Sequence, residues 1–135
     1  MKINYLNGVE EKIVPLADGA HAIAVGDLIS VGSDGYAKQG GDTSGDKFIG
    51  IALESKTIAA ADNSADGKYS LKILPARAGN IAKLTFNSST VRGSGLPGTT
   101  VYAKSATTIA TSTTNSVVVG TIFEWLSTTE AYVAI

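Results

Sequence analysis

Apolar and polar residues alternate along most of this chain in short runs, and the runs are separated by Gly, Ser, Asp and Asn. A period of two puts successive side chains on opposite faces and predicts half-buried β-strands. Tyr69-Ser-Leu-Lys-Ile73 is the cleanest case, with Tyr69, Leu71 and Ile73 on one face and Ser70 and Lys72 on the other. Two runs are apolar almost throughout: Lys47-Phe-Ile-Gly-Ile-Ala-Leu-Glu54 and Val117-Val-Val-Gly-Thr-Ile-Phe-Glu124. They predict central strands, and Phe48, Ile49, Ile51, Leu53, Leu71, Ile73, Val101, Val119, Ile122 and Phe123 are the expected core. Gly32-Ser-Asp-Gly35 is a hairpin signal, because Asp-Gly supplies the positive φ such turns need. Helix propensity is confined to Thr57-Ile-Ala-Ala-Ala-Asp62, which is too short to stand alone.

The two central runs share a plan, since each carries one glycine (Gly50, Gly120) and then a glutamate (Glu54, Glu124). Gly26-Asp-Leu-Ile-Ser-Val and Tyr36-Ala37-Lys38 precede the first; Gly98-Thr-Thr-Val and Tyr102-Ala103-Lys104 precede the second. Alternating strands follow, Tyr69 to Ile73 and Ala131 to Ile135. The pattern reads as a degenerate internal duplication with halves near 26–73 and 98–135. Two copies are too few for a solenoid. The expected fold is therefore all-β: a compact β-barrel or β-tulip domain over residues 21–135 with at most one short helix. Residues 1–20 do not resemble the rest. There Asn7-Gly8 is a turn pair, and the run from Val9 stops at Pro15. They read either as an edge strand and loop or as an extended arm offering Ile3, Tyr5, Leu6, Val9, Ile13 and Val14 to a partner.

Composition narrows the function. A chain of 135 residues makes one domain with its own core. Its 17% charged content is low and its formal net charge is −1, so neither a nucleic-acid backbone nor an anionic membrane is an expected partner. With no cysteine, neither disulfides nor thiolate metal sites contribute. No run is apolar for long enough to span a bilayer, and the first residues lack a signal-peptide core, so synthesis in the cytosol is expected.

Chemistry-bearing motifs are sparse. His21 is the sole histidine, which excludes a histidine metal cluster and leaves one possible base for a Ser-His-Asp triad. Glu54 and Glu124 could form a glycosidase-like pair, or simply end their strands on the solvent side. Asp62-Asn-Ser-Ala-Asp-Gly67 imitates the start of a calcium loop, but Ile73 stands where a bidentate Glu should close it. Gly40-Gly-Asp-Thr-Ser-Gly-Asp46 lacks the Lys of a phosphate loop, and the GxGxxG spacing of Gly93 to Gly98 contains a proline between strands. No catalytic residue, metal or cofactor is expected, and an enzyme is not.

The succession Ala24-Val-Gly-Asp-Leu-Ile, Phe48-Ile-Gly-Ile-Ala, Tyr69-Ser-Leu-Lys-Ile-Leu-Pro75, Gly98-Thr-Thr-Val-Tyr-Ala103, Val119-Gly-Thr-Ile and Tyr132-Val-Ala-Ile135 resembles the small capsid decoration (cement) proteins of tailed bacteriophages. It spans residues 22 to 135. The resemblance implies a β-barrel or β-tulip domain that binds the outside of an expanded head, sits as a trimer where capsomers meet, and reinforces the shell. Its partners would be the major capsid protein and copies of itself. Its place would be the outer surface of the virion, after synthesis in the host cytoplasm. The arm residues Ile3, Tyr5, Leu6, Val9, Ile13 and Val14 are then candidate capsid contacts, made by adding a strand to a capsid edge. Two other classes stay open: a carbohydrate-binding or fibre-tip module using Trp125 and Tyr102, and a hydrolase using Glu54 and Glu124.

Overall fold

The computed structural model describes residues 11–77, 79–89 and 95–135. The first part of the chain gives β1 (Lys12–Pro15), β2 (His21–Ile23), β3 (Leu28–Val31), β4 (Ala37–Gln39), β5 (Lys47–Ala52), β6 (Lys56–Ile58) and β7 (Ser70–Pro75). The second gives β8 (Ile81–Thr85), β9 (Thr100–Ala103), β10 (Ile109–Ala110), β11 (Val118–Trp125) and β12 (Glu130–Ala134). The protein is all-β; among the described residues the one helical piece is a 3-10 turn at Ala60–Asp62. Ile58, expected in a helical turn, lies instead in β6, where its side chain is buried. Burial outweighs the weak local preference.

Two five-stranded sheets carry the fold, in the orders β1-β7-β5-β3-β4 and β10-β9-β11-β12-β8, and β2 and β6 form a separate ribbon. Each sheet curls until its two ends meet. Leu16, just past β1, bridges in parallel to Ala37 at the head of β4, and Ala17 N–H donates to Ala37 O at 2.9 Å. Phe86, just past β8, bridges in parallel to Ile109 of β10, and Asn87 N–H donates to Ile109 O at 3.0 Å. Closure leaves less open edge than a flat sheet of five strands would.

Hydrogen bonds recur at matching places in the two sheets. Gly26 N–H donates to Ala52 O and Gly98 N–H to Ile122 O; Leu16 N–H donates to Tyr69 O and Phe86 N–H to Thr129 O. A bulge recurs as well. Ile29 faces Gly50 and Ser30 faces Phe48, leaving Ile49 extra on β5. Val101 faces Gly120 and Tyr102 faces Val118, leaving Val119 extra on β11. Lys12–Pro15, which the sequence sets apart from the rest, pair with β7 in the first sheet. The two Tyr-Ala-Lys triplets do not correspond: Ala37 bridges to Leu16, whereas Ala103 pairs with Ile109. A three-residue match carries too little pattern to fix register.

The core is in two clusters. One fills the first sheet with Leu16, Ile29, Leu71 and Ile73 and takes Ile23 and Ile58 from the ribbon. The other lies in the second sheet around Phe86, Val101, Ile109, Ile122 and Val133, and Leu28 and Ile51 reach into it from the first. Phe86 stacks on Trp125 with ring centroids 4.7 Å apart, and the Trp125 indole N–H donates to Gly95 O at 2.6 Å. Each fully buried Leu, Ile or Phe stabilises by roughly 1.5–3 kcal/mol.

Two expected core residues are outside: Leu53 is 37% exposed and Phe123 is 56% exposed. Leu53 lies past the end of β5, and Phe123 sits in a second register shift of β11, between Ile122 and Glu124. Such shifts break the alternation on which the sequence expectation rested.

Candidate functional site

Ile3, Tyr5, Leu6 and Val9 lie outside the described residues. Ile13 and Val14, the other two arm residues, are in β1, paired antiparallel with Lys72 and Leu71 of β7. Val14 is buried in the first core cluster and offers nothing to a partner. Ile13 points the other way and is 67% exposed. Beside it, Lys72 pairs with Glu11 at 3.7 Å, and Leu53 N–H donates to Lys72 O. Ile13, the stem of Lys72 and Leu53 thus form an apolar strip on the outside of the first sheet. A counterpart runs outside the second sheet, where Tyr132 lies between Lys83 and Glu124, Ile81 pairs with Ala134, and Phe123 protrudes. The sheet closes on Ala37 just past β1, at Leu16 and Ala17, while among the described residues Lys12–Pro15 pair on one side only, with β7, and such an edge presents backbone groups that another strand can pair with.

The remaining predicted residues are dispersed. Glu54 and Glu124 sit on different sheets. The Glu54 carboxylate accepts Lys72 N–H at 2.8 Å and lies 3.9 Å from Lys56 Nζ, while Glu124 stands exposed on β11. His21 is buried, with its Nε2 2.7 Å from Ala17 O. Trp125 and Tyr102 face opposite sides of the second sheet. Trp125 pairs with buried Ala131 and packs on the core, whereas Tyr102 lies between buried Val101 and Ala103 and points out. They form no common stacking platform. In the turn after Asp62, Asn63 points inward, and its amide donates to Ala17 O and Gly19 O. The Asp66 carboxylate there accepts Asp18 N–H at 2.8 Å. Asn63 and Asp66 thus fasten this segment to residues 17–19 rather than bonding their own backbone.

Sequence reading had no signal for the clasp between the two halves. Asp42, in the loop after β4, accepts Asn115 N–H at 2.8 Å and Thr114 N–H at 3.1 Å, and its own carbonyl accepts the Asn115 amide at 2.8 Å. The Asn115 backbone N–H, helped by Thr114, favours the ionised carboxylate and holds the Asp42 pKa below its ordinary 3.8. A depressed folded pKa contributes stability above the unfolded value and loses it as pH falls through the folded value. The Thr114 and Asn115 amide resonances should therefore move together in an NMR titration with a midpoint below 3.8. Asp42→Asn should abolish that titration, and a midpoint at or above 3.8 would contradict the clasp.

No family model, curated protein or solved structure matches this chain.

Proposed function

We propose that this protein is a capsid decoration protein that binds the outer surface of a phage head and stabilises it as a trimer. The observation that carries the reading is the outer face at β1. An end strand with exposed Ile13 continues directly from the apolar arm, beside Leu53 and the Lys72 stem. A capsid surface offers a small protein no deep pocket to grip, so backbone pairing and shallow apolar contact are the means available. Trimerisation makes attachment multivalent, since once one subunit is bound the others act at high effective concentration. The competing classes have less support. The aromatic side chains needed for a sugar platform face opposite ways, and one of the two carboxylates needed for a hydrolase is held by a backbone N–H.

We further infer that the two sheets are copies of one unit, spanning residues 11–75 and 81–135, since strand order, closing bridge and bulge all recur. On that reading β2 and β6 are an insertion in the first copy.

The function is tested by mixing the protein with heads assembled from the cognate major capsid protein, expanded and unexpanded, and sedimenting them. Saturable binding to expanded heads, with a trimer mass in solution, is the expected result. Absence of binding to expanded heads would end the proposal.

A further inference from the structure

Each sheet has an open strand edge, and the two edges are complementary. In an antiparallel ladder, successive residues turn their N–H and C=O alternately toward the partner strand and away from it. Phe86 N–H donates to Thr129 O and Ile135 N–H to Asn80 O, so Ala82 and Leu84 serve β12 while Ile81 and Lys83 turn their backbone groups outward. On β1, Leu16 N–H donates to Tyr69 O, so Val14 serves β7, and Ile13 and Glu11 turn outward by the same alternation. Among the described residues, no strand pairs with Ile81, Lys83 or Ile13 on that side. The side chains of all four residues are exposed on the outer surface. Glu11 pairs there with Lys72 at 3.7 Å, and Lys83 with Glu130 at 4.0 Å.

We propose that each edge pairs with the other edge on a second copy of this chain, β1 running antiparallel to β8 in a head-to-tail joint. Ile13 then faces Ile81 and Glu11 faces Lys83, each facing pair exchanging both N–H···O bonds. The register sets an apolar pair beside an opposite-charge pair, and both kinds stabilise neighbouring strands. It also joins the two existing ion pairs into one row of alternating sign, Lys72, Glu11, Lys83, Glu130. Such a network is worth more than exposed pairs taken singly. Pro15, which has no N–H to give, falls opposite Gly79, before the start of β8. A register shifted by two residues would set Pro15 against Ile81 and Lys83 against Ile13. Two β8 edges paired together would bring no carboxylate opposite Lys83. A head-to-tail contact repeats from copy to copy until a ring closes. The inference rests on the trimer proposed above and names its joint, since three such joints use every β1 and β8 edge and leave none open. Ile81 of the next copy then extends the outer strip through Ile13, and strand addition on a capsid falls to residues 3–9.

The test is sedimentation equilibrium of the full chain without heads, with amide exchange followed by NMR. The intact protein should sediment as a trimer, and the Ile81 and Lys83 amides should exchange slowly although both lie on an open edge of the single chain. Lys83→Glu sets two carboxylates face to face at every joint and should weaken association at least about tenfold. Glu11→Lys should do the same, and it decides the matter should Lys83→Glu fail to fold. Combining the two substitutions restores opposite charges and should restore the trimer. Lys104→Glu, just past β9 and away from both edges, should leave the mass unchanged. A monomeric intact protein would overturn the proposal, as would a double variant that stays dissociated. A trimer that resists both charge reversals would overturn the joint and leave the capsid reading standing. A trimer that dissociates as expected but never binds expanded heads would end the capsid reading and leave the joint standing.

Discussion

Replacing Gly50 or Gly120 by alanine is expected to lower the melting temperature by about 10 °C or more, the largest effect of any single methyl group added to this protein. Each glycine follows the bulged residue of its strand and lies against the next strand of its sheet. A Cβ on Gly50 would strike the carbonyl oxygen of Leu74, and one on Gly120 would strike that of Ala134. A flexible side chain could turn aside, but a carbonyl fixed in a ladder cannot. Relief requires the strands to part, which disrupts pairing on both sides of the bulge. Overpacking of a core commonly costs about 1–3 kcal/mol. A clash with fixed backbone belongs at the upper end of that range or beyond it, against a total stability of about 5–15 kcal/mol. Gly41→Ala is the control, since the nearest atom to its added Cβ is the Thr43 hydroxyl at 4.0 Å. Circular dichroism melts of the three variants decide the point. Equal melting temperatures would mean that the bulges absorb a methyl group and that the glycines serve no steric purpose.

Those two glycines also mark how far the fold could be read from the chain. The strands around them were legible because period-two alternation and apolar runs are local signals, and so Leu71 and Ile73 fell on the buried face as expected. The bulges were not legible, because an extra residue leaves no mark in composition; Phe123 was placed inside for that reason. Nor were the closing contacts, since Leu16–Ala37 and Phe86–Ile109 join short segments far apart in sequence, with no shared pattern. Leu16 itself is fully buried just behind a proline, in the stretch of residues 1–20 that reads as an edge segment or arm. The candidate surface was half legible. Ile13 and Val14 stood out as apolar, but which of them faces solvent depends on register with β7, and only the structure supplies it. The Asp42 clasp depends on loop positions that sequence spacing does not encode.

The register of β1 sets the terms of the second large prediction, which concerns where the arm ends. Cutting after residue 14 would remove most of β1, taking Val14 from the core and uncovering Leu71 and Ile73 of β7. Loss of one buried aliphatic side chain costs about 2–5 kcal/mol with the cavity it leaves, and the ladder to β7 goes with it. That truncation should melt far below the intact protein. Cutting after residue 10 should not, since Lys12–Pro15 and every core residue named above remain. If Ile3, Tyr5, Leu6 and Val9 add a strand to a capsid edge, the shorter truncation should keep the melting temperature and solution mass of the full chain while losing co-sedimentation with expanded heads. Exposed Ile13 stays in place in that variant, so the experiment separates the arm from the outer strip. Undiminished co-sedimentation would move the contact from the arm to Ile13, Lys72 and Leu53. Ile13→Asp in the full chain, which changes an exposed side chain and leaves Val14 buried, would then be expected to abolish binding.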